Sequence, residues 1–339
     1  LIDIPRSLEE AQVPPGHRPR ARIISGPPPR TPFVTPEPRR RGNDAASHAR
    51  SAGAQIAELM AAAAARGALE EIKREYSGVF CLPRVGGDAV GIDDGGGGGG
   101  IDALRMGEMK TEKASSPSVK IPPGAEYLHG SIQDLRQAFV DLAPQFKLIV
   151  LDPPWPNRSV RRNQKASTTY NTVSTMSDMR NLLSSIPVAS RLAPDGLVAV
   201  WITNRASIFD LMTSSKGVFA SWGLEMVTQW TWLKVTAEGE PIFDIESEWR
   251  KPWETLLIAK KRAGGKVPLK LKSRVIVAVP DVHSRKPNLR ALFGDVFGEG
   301  DGEEEEEYRG LEVFARNLTA GWWSWGDQVL HFQGAEHWV

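Results

Sequence analysis

After about Ala125, short and strongly apolar runs alternate with segments of helical composition, and this alternation is the feature that most constrains the fold. The runs that we interpret as strands cover residues 147–151, 197–202, 225–235, 255–260, 274–279 and 311–315, with 328–332 as a further candidate. The candidate helices between them cover residues 177–191, 205–220 and 287–297. Strands this apolar are usually covered on both faces, as in α/β proteins. The sequence therefore predicts an α/β fold with a sheet of about seven strands and flanking helices.

The first third of the chain differs in composition from the rest. Residues 1–41 contain ten prolines and end in three arginines, a composition typical of an extended linker that contributes little to chemistry. Residues 44–76 are rich in Ala, Leu, Glu and Arg, which favours a helix that either docks on the main domain or has no partner. The stretch at 86–100 is glycine-rich and typical of a flexible loop. The predicted divisions are a Pro/Arg-rich linker-like segment (1–43), an accessory region with the Ala-rich helix and the Gly-rich loop (44–124), and the main domain (125–339).

Composition excludes some classes of protein and leaves others open. The chain has 42 Lys and Arg against 41 Asp and Glu, a formal charge of +1, which neither indicates nor excludes a nucleic-acid partner. The single Cys81 excludes a disulfide framework and a four-cysteine zinc site, and His283 has no second ligand at metal-binding spacing, so we expect no metal. Apolar runs are too short to span a bilayer, and the first residues lack a signal-peptide pattern. We therefore expect no membrane partner and a reducing compartment.

The apolar run that ends at Leu151 leads directly into Asp152, two prolines and Trp155. Proline cannot donate to a sheet ladder, so the strand must end here, and ligands of open α/β sheets bind outside the carboxyl ends of strands. The prolines hold two acceptors, the Asp152 carboxylate and the Pro153 carbonyl, in one place, and Trp155 adds a flat apolar face. This arrangement suits a planar ring that carries an amine, such as adenine or cytosine. The alternative is a proline-rich turn in which Trp155 belongs to the core.

A set of motifs in a fixed order narrows the interpretation. They are DPPWPNRSVRR (152–162), WITNRA (201–206), WTWLKVTAEGE (230–240), KPWETLLIAKK (251–261), HSRKPNL (283–289) and LEVFARNLTAGWWSWGDQVLHFQ (311–333). In this order they resemble the DPPW-motif adenine N6-methyltransferases, the eukaryotic family that includes the messenger-RNA adenosine methyltransferases, and most of all the methyltransferase-like four subfamily. The resemblance covers roughly residues 125 to 335 and implies a Rossmann-like, S-adenosylmethionine-dependent methyltransferase fold. The catalytic motif precedes the cofactor segment, which is the permuted order of that family.

The resemblance also implies roles for individual residues. Those of the catalytic loop, which hold the target amine and pack on the base, are Asp152, Pro153, Pro154 and Trp155. Those that hold S-adenosyl-L-methionine are Asp152, Lys286, Glu312, Phe314, Arg316, Asn317, Asp327 and Gln328. Those on the substrate side are Asn157, Arg158, Arg161, Arg162 and Glu254. The basic loop after the motif, which continues to Lys165, suits contacts with phosphates.

Less specific interpretations of the same residues stay open. Arg316 can pair with the acidic run at 303–307, and the basic loop can be a solvated surface loop. The tryptophans at 322, 323 and 325 can be plain core. Asp327 stands where the family commonly has Asn.

Together these residues predict an enzyme that methylates the N6 amine of adenine in RNA. The subfamily resemblance implies adenosines of small nuclear RNA that carry a ribose 2′-O-methyl, and hence a nuclear protein, with the cytoplasm as a further location. Two alternatives are an N6-adenine methyltransferase that acts on DNA and a catalytically silent RNA-binding scaffold. Asp152 is intact, which favours activity. We expect a monomer that needs no obligate methyltransferase partner.

Overall fold

The computed structural model describes residues 1–34, 51–86, 118–156, 175–247, 250–282, 285–298 and 308–339. Several features singled out in the sequence lie outside these residues: Asn157, Arg158, Arg161, Arg162, Lys165, His283, the acidic run 303–307 and the glycines at 95–100.

The described residues form helices and strands that alternate along most of the chain. The helices are α1 (Ile4–Glu10), α2 (Ala52–Glu75), α3 (Arg136–Leu142), α4 (Met176–Ser185), α5 (Val188–Arg191), α6 (Ala206–Thr213), α7 (Val218–Ser221) and α8 (Arg290–Phe297), followed by a 3-10 turn at Ala335–His337. The strands are β1 (Ile24–Ser25), β2 (Val85–Gly86), β3 (Glu126–His129), β4 (Phe146–Leu151), β5 (Leu192–Ile202), β6 (Leu224–Lys234), β7 (Trp253–Lys261), β8 (Arg274–Ala278), β9 (Gly310–Val313) and β10 (Trp323–Gly326). Within this part of the chain, no helix is long and apolar enough to cross a membrane.

One large sheet organises the molecule. Its eight strands lie in the order β3-β10-β9-β4-β5-β7-β6-β8. Neighbouring strands are parallel except at β7, which runs antiparallel to both β5 and β6. The other strands therefore end at a single edge of the sheet. This mostly parallel sheet with flanking helices confirms the predicted α/β, Rossmann-like fold, while β1 and β2 form a separate parallel pair.

The predicted strands differ from the structure near the carboxyl end of the chain. The prediction of a strand at 328–332 is wrong, because these residues form turns in which the His331 N–H donates to the Gln328 carbonyl at 2.8 Å. Here the sheet contains β10 instead, which, like β3, is too short for a clear alternation of apolar and polar residues. The strand predicted at 311–315 ends at Val313, because Phe314 has a left-handed backbone with a φ of 61°.

Two of the predicted helices are interrupted. The helix predicted at 177–191 divides into α4 and α5, because Ile186 precedes Pro187 and a residue before proline avoids helical backbone angles. The helix predicted at 205–220 divides into α6 and α7 at Gly217, where a Cβ atom would lie 2.8 Å from two backbone oxygens. Only glycine allows the chain to turn so tightly there.

Helices cover both faces of the sheet. On one face α4, α6 and α7 bury side chains such as Leu183, Ile208 and Phe219 against β4 and β5. On the other face α8 stacks Phe293 on Trp230, with 4.8 Å between the ring centroids. Successive residues of β4 from Leu148 to Leu151 alternate between these two cores, which explains why this run is apolar without interruption.

The Ala-rich segment forms a long helix that docks on the sheet. Its first turn is capped by Ser51, whose side chain accepts a hydrogen bond from the Ala54 N–H. The small side chains of Ala61 and Ala65, together with Leu69, pack against β6, β7 and β8. Of the two interpretations of this helix, the structure supports the one in which it docks on the main domain. The domain boundaries remain a prediction.

Residues 1–34 are not the extended linker that their proline content predicts. α1 buries Ile4 and Leu8 completely in the core shared with α8. Glu9 is also buried, and its carboxylate accepts a hydrogen bond from the Ile23 N–H at 3.1 Å. Ile4 and Leu8 lie one helical turn apart, and their docking removes apolar surface from water. This stabilisation outweighs the tendency of the prolines to keep the segment extended.

Candidate active site

The candidate functional side chains gather where the parallel strands end. Asp152 follows β4, Phe314 follows β9 and Asp327 follows β10. Since β7 is antiparallel, Glu254 near its start lies at this same edge. Lys234, the last residue of β6, lies there too. This edge is the usual ligand-binding side of an open α/β sheet.

The loop after β4 is fixed by Trp155. Its backbone N–H donates to the Pro153 carbonyl at 2.8 Å, and its indole N–H donates to the Trp201 carbonyl at 2.8 Å. The ring is partly buried and packs against the core, whereas Pro154 is exposed. Trp155 therefore anchors the loop in the core, as the simpler interpretation holds, and still leaves part of its surface accessible.

Asp152 begins a chain of alternating charges that crosses the site. Lys286 Nζ lies 3.0 Å from Asp152 Oδ2 and 3.3 Å from Glu254 Oε2. The other oxygen of Glu254, Oε1, accepts a hydrogen bond from Lys234 Nζ at 2.5 Å. Side chains that are far apart in the sequence thus hold one another in a fixed arrangement.

Burial opposes the charges in the middle of this chain, and the neighbouring charges outweigh it. Burial raises the pKa of Glu254, but the ammonium groups of Lys234 and Lys286 lower that pKa to about 2. Burial likewise lowers the pKa of Lys286, but Asp152 and Glu254 raise it above its ordinary value. Glu254 and Lys286 therefore remain charged throughout the neutral range.

A pocket opens beside Asp152, and the space between its walls, including the part that is open to solvent, is about 510 Å³. The lining includes Asp152, Lys286, Glu312, Phe314, Arg316 and Asn317. The sheet topology thus brings together most of the residues predicted to hold the cofactor.

The carboxyl group of Glu312, which lines this pocket, has a strongly shifted pKa. Burial raises its pKa to about 8, the nearby Asp152 carboxylate acts in the same direction, and Lys286 offsets part of the effect. Near neutral pH the protonated form of Glu312 is therefore well populated. In this form the side chain can donate one hydrogen bond and still accept others.

The residues of the pocket fit S-adenosylmethionine. Asn317 Nδ2 is buried and has no hydrogen-bond partner among the described residues, as expected of a group that a ligand completes. Arg316 offers a positive charge for a carboxylate, and Glu312 offers oxygens for hydroxyl groups. The left-handed backbone of Phe314 is uncommon for a residue other than glycine and is typical of ligand-binding turns. Gly326 lets β10 approach this turn, because a Cβ atom there would lie 3.2 Å from Phe314 Cα.

Not every predicted residue reaches the pocket. Asp327 and Gln328 lie at the same edge, after β10, but they are not among the described residues that line it. The side chain of Asp327 is exposed, and its carbonyl accepts a hydrogen bond from His129 Nε2 at 3.1 Å. Their role in cofactor binding remains a prediction. So does substrate binding by the basic loop, which lies outside the described residues.

The tryptophan-rich run belongs largely to the core. Trp323 and Trp325 are buried in β10, and Trp325 stacks on Phe139 with 4.5 Å between the ring centroids. Trp322 is buried as well and also lines the pocket. In the part of the chain that the structure describes, no group of three His, Cys, Asp or Glu side chains is placed to hold a metal ion.

The sequence did not reveal two contributions to the site. Lys234 is the last residue of an apolar strand, and its proximity to Glu254 depends on the pairing of β6 with β7, which no local pattern specifies. Leu8 of α1 lines the pocket, although its segment reads as a linker. The only available signal was the spacing of Ile4 and Leu8 on one face of a helix.

Comparison with known proteins identifies the family. The MT-A70 family model matches residues 146–328, more than half of the chain. The N6-methyladenosine RNA methyltransferase MTA1 of Cryphonectria parasitica is 47% identical over 347 residues, covering 100% of this chain and 90% of the relative. The human N(6)-adenine-specific methyltransferase METTL4 is 32% identical over 229 residues, covering 65% of this chain and 44% of the relative. A Caenorhabditis elegans DNA N6-methyl methyltransferase is 34% identical over 231 residues, covering 67% of this chain and 57% of the relative.

These matches confirm the resemblance predicted from the ordered motifs. The matched region includes the loop after β4, the residues of the charge chain and the pocket-lining residues of β9 and the segment after it. The chain belongs to the MT-A70 family of N6-adenine methyltransferases.

Proposed function

We propose that the protein transfers the methyl group of S-adenosylmethionine to the N6 amine of adenosine in RNA. The observation that carries this proposal is the position of Asp152, which belongs both to the fixed loop after β4 and to the wall of the pocket. A base held by the loop and a methyl donor held in the pocket would meet at Asp152. Holding two reactants side by side in this way is a large source of rate acceleration.

Acceptors of the loop orient the amine. The nitrogen lone pair of adenine is conjugated into the ring, so the amine must rehybridise before it can attack. Asp152 Oδ1 accepts one N–H of the amine, because Lys286 engages the other oxygen, Oδ2, among the described residues. The Pro153 carbonyl accepts the second N–H, since the Trp155 N–H occupies only one of its two lone pairs. The accessible part of the Trp155 ring supports the base.

The pocket residues set the position of the donor. When bound, S-adenosylmethionine supplies an electrophilic methyl group. Arg316 would pair with the carboxylate of its amino-acid part, and Asn317 and Glu312, which line the same pocket, would provide hydrogen bonds. A strong base is not required, because the N–H proton becomes acidic as the amine nitrogen gains positive charge. The hydrogen bond to Asp152 Oδ1 gives this proton a path away from the nitrogen.

RNA is favoured as the substrate by the Cryphonectria parasitica relative, which matches the whole of this chain and is named as an RNA methyltransferase. Unpaired adenosine also avoids the cost of base extrusion, a few kcal/mol, and suits stacking on Trp155. Within RNA we favour adenosines of small nuclear RNA that carry a ribose 2′-O-methyl, as the resemblance of the ordered motifs to the methyltransferase-like four subfamily implies. The protein would then act in the nucleus, as a monomer and without an obligate methyltransferase partner.

DNA is the second candidate substrate. It is favoured by the similarity to the Caenorhabditis elegans protein named as a DNA N6-methyl methyltransferase. Adenine presents the same amine and the same ring in both nucleic acids, so the loop after β4 does not discriminate between them.

The test is a competition between matched RNA and DNA oligomers, paired and unpaired, with and without a ribose 2′-O-methyl at the target. After incubation with isotopically labelled S-adenosylmethionine, the methylated nucleosides are measured by mass spectrometry. The expected product is N6-methylated adenosine from unpaired RNA, formed faster on the 2′-O-methylated oligomer. Faster methylation of duplex DNA would move the protein to the second candidate. No transfer to any oligomer by the folded protein would refute the enzymatic proposal and leave the silent RNA-binding scaffold.

A further inference from the structure

We infer that the N-terminal segment, residues 3–13, is a structural part of the cofactor pocket and determines how tightly the pocket binds its ligand. This inference rests on the proposed function, because the ligand in question is S-adenosylmethionine. The segment lies outside the residues that match the family model, 146–328, so the family match assigns it no role. The matched region of the human relative covers 65% of this chain, whereas the Cryphonectria parasitica relative matches all of it.

The first observation is that α1 supplies part of the pocket wall. Leu8 is 2% exposed and lines the pocket together with Trp201, Lys286 and Arg316. Ile4, one turn earlier, is fully buried in the same core and fixes the helix against the sheet. An apolar wall of this kind excludes water from one side of the ligand.

The second observation is that the segment binds the loop that carries Lys286. The backbone N–H of Asn288 donates to Ser7 Oγ at 3.1 Å. Arg290, at the start of α8, donates to the carbonyls of Glu10 at 2.6 Å and Val13 at 2.9 Å. The position of this loop relative to the pocket therefore depends on α1 and the residues that follow it.

The third observation is that the same segment binds the turn that follows Arg316 and Asn317. Gln12 Nε2 donates to the Leu318 carbonyl at 2.9 Å, and the Ala320 N–H donates to the Ala11 carbonyl at 2.7 Å. Gln12 is 4% exposed, and its side-chain oxygen accepts a hydrogen bond from Gln333 Nε2 at 3.0 Å. Buried polar groups that are paired in this way specify one arrangement of the backbone around them.

The segment thus bridges two loops that both contribute to the pocket wall. Two direct contacts also join these loops, from Asn288 Nδ2 to Thr319 Oγ1 at 2.8 Å and from Arg290 Nη1 to the Ala320 carbonyl at 3.3 Å. Without α1, the loops would keep these contacts and lose the hydrogen bonds that the segment makes to each of them. A pocket whose walls are ordered before the ligand binds has a higher affinity, because binding then costs less conformational entropy. The segment that reads as a linker is therefore a positioning element for the residues that touch the ligand.

The experiment measures S-adenosylmethionine binding to the full chain by calorimetry. Gln12→Ala removes the anchor at Leu318, Ser7→Ala removes the anchor at Asn288, and Arg6→Ala is the control. Arg6 also belongs to α1, but its side chain is 43% exposed and pairs with the glutamates at 9 and 10 of the same helix. We expect Gln12→Ala to raise the dissociation constant about tenfold, as the loss of buried hydrogen bonds predicts. We expect a smaller increase for Ser7→Ala and none for Arg6→Ala.

Hydrogen exchange of the unmodified protein provides a second readout that does not depend on the folding of a variant. We expect added S-adenosylmethionine to slow amide exchange in residues 4–12 and to leave α4, which covers the opposite face of the sheet, unchanged. If the protein binds S-adenosylmethionine while exchange in 4–12 is unaffected and all variants retain the original affinity, the inference is wrong and the proposed function stands. If the folded, unmodified protein does not bind S-adenosylmethionine, both the inference and the proposed function are refuted.

Discussion

The loop after β4 and the pocket beside it are built in different ways. The loop consists of consecutive residues, in which the Trp155 N–H donates to the Pro153 carbonyl, and the Trp155 indole ties the loop to Trp201 at the end of β5. The pocket is assembled largely from α1, the segment after β8 and the segment that begins at β9, which are far apart in the sequence. The residues proposed to hold the amine therefore come from one short stretch of chain, whereas the residues of the pocket come from separate segments that long-range contacts hold in place.

The replacement of Asp152 by Ala is expected to have the largest effect and to separate the two regions most clearly. It removes an acceptor for the amine, so methyl transfer should fall on the order of 1,000-fold. The pocket keeps its remaining lining, so the affinity for S-adenosylmethionine should change little. Asp141→Ala, at an exposed position on α3, is the matched control. Turnover at the original rate would show that Asp152 is not the acceptor, and loss of the folded state would show that the loop is structural.

The replacement of Arg316 by Ala should show the opposite division of effects. A charge-assisted pair with the ligand would be lost, which is expected to weaken S-adenosylmethionine binding by about 1.5–3 kcal/mol. Calorimetry measures this loss directly. Arg262→Ala, at an exposed position after β7 and at the opposite edge of the sheet, should leave the affinity unchanged. Equal affinities of the two variants would remove Arg316 from the site.

The same contrast explains which features the sequence can predict. Contiguous apolar runs and motifs of consecutive residues are enough to predict the α/β class of the fold, the family and the position of the loop after β4. The docking of residues 1–34 does not follow from composition. The ten prolines in 1–41 indicate an extended segment, and the docking depends on one short helix with apolar residues on one face. Contacts such as that of Gln12 with Leu318 join residues 306 positions apart, and no local pattern encodes them.

Strand pairing limited prediction in the same way. The register of β6 and β7 places Trp232 opposite Glu254, and this register brings Lys234 to the site. The apolar run at 311–315 predicts a strand through Phe314, because a left-handed residue leaves no signal in such a run. Motifs of neighbouring residues therefore sufficed to predict the fold class and the family, whereas the positions of residues that depend on strand pairing could not be predicted.

Glu312 provides a pH test of the pocket. Its pKa rises from 4.5 in an unfolded chain to about 8 in the folded protein, so the folded state binds more protons between these values. The free energy of unfolding should therefore fall as the pH rises from about 5 to 8. Since the side chain is only partly buried, we expect a loss on the order of 2 kcal/mol. Glu312→Gln should flatten this dependence in denaturant titrations without ligand, whereas the exposed control Glu238→Gln should retain it. An unchanged slope in Glu312→Gln would show that another group titrates.

The smallest expected effect comes from Lys234, which acts on the loop after β4 only through other residues. Lys234→Met leaves Glu254 with Lys286 as its remaining cation, so the pKa of Glu254 should rise from about 2 toward its ordinary value. The pKa of Glu254 is lower in the folded protein than its unfolded value of 4.5, so ionised Glu254 stabilises the folded state above this pH. That stabilisation is lost as the pH falls through the folded pKa of about 2. We expect methyl transfer to fall about threefold near neutral pH, because Lys286 is less firmly held against Asp152. The acidic limb of the pH profile of methyl transfer should move to higher pH.

Lys260→Met is the matched control for Lys234→Met, since Lys260 pairs with Glu225 at 2.6 Å near the other end of β7. Identical pH profiles for the two variants would mean that the charge chain ends at Glu254 and that Lys234 does not act on the loop after β4.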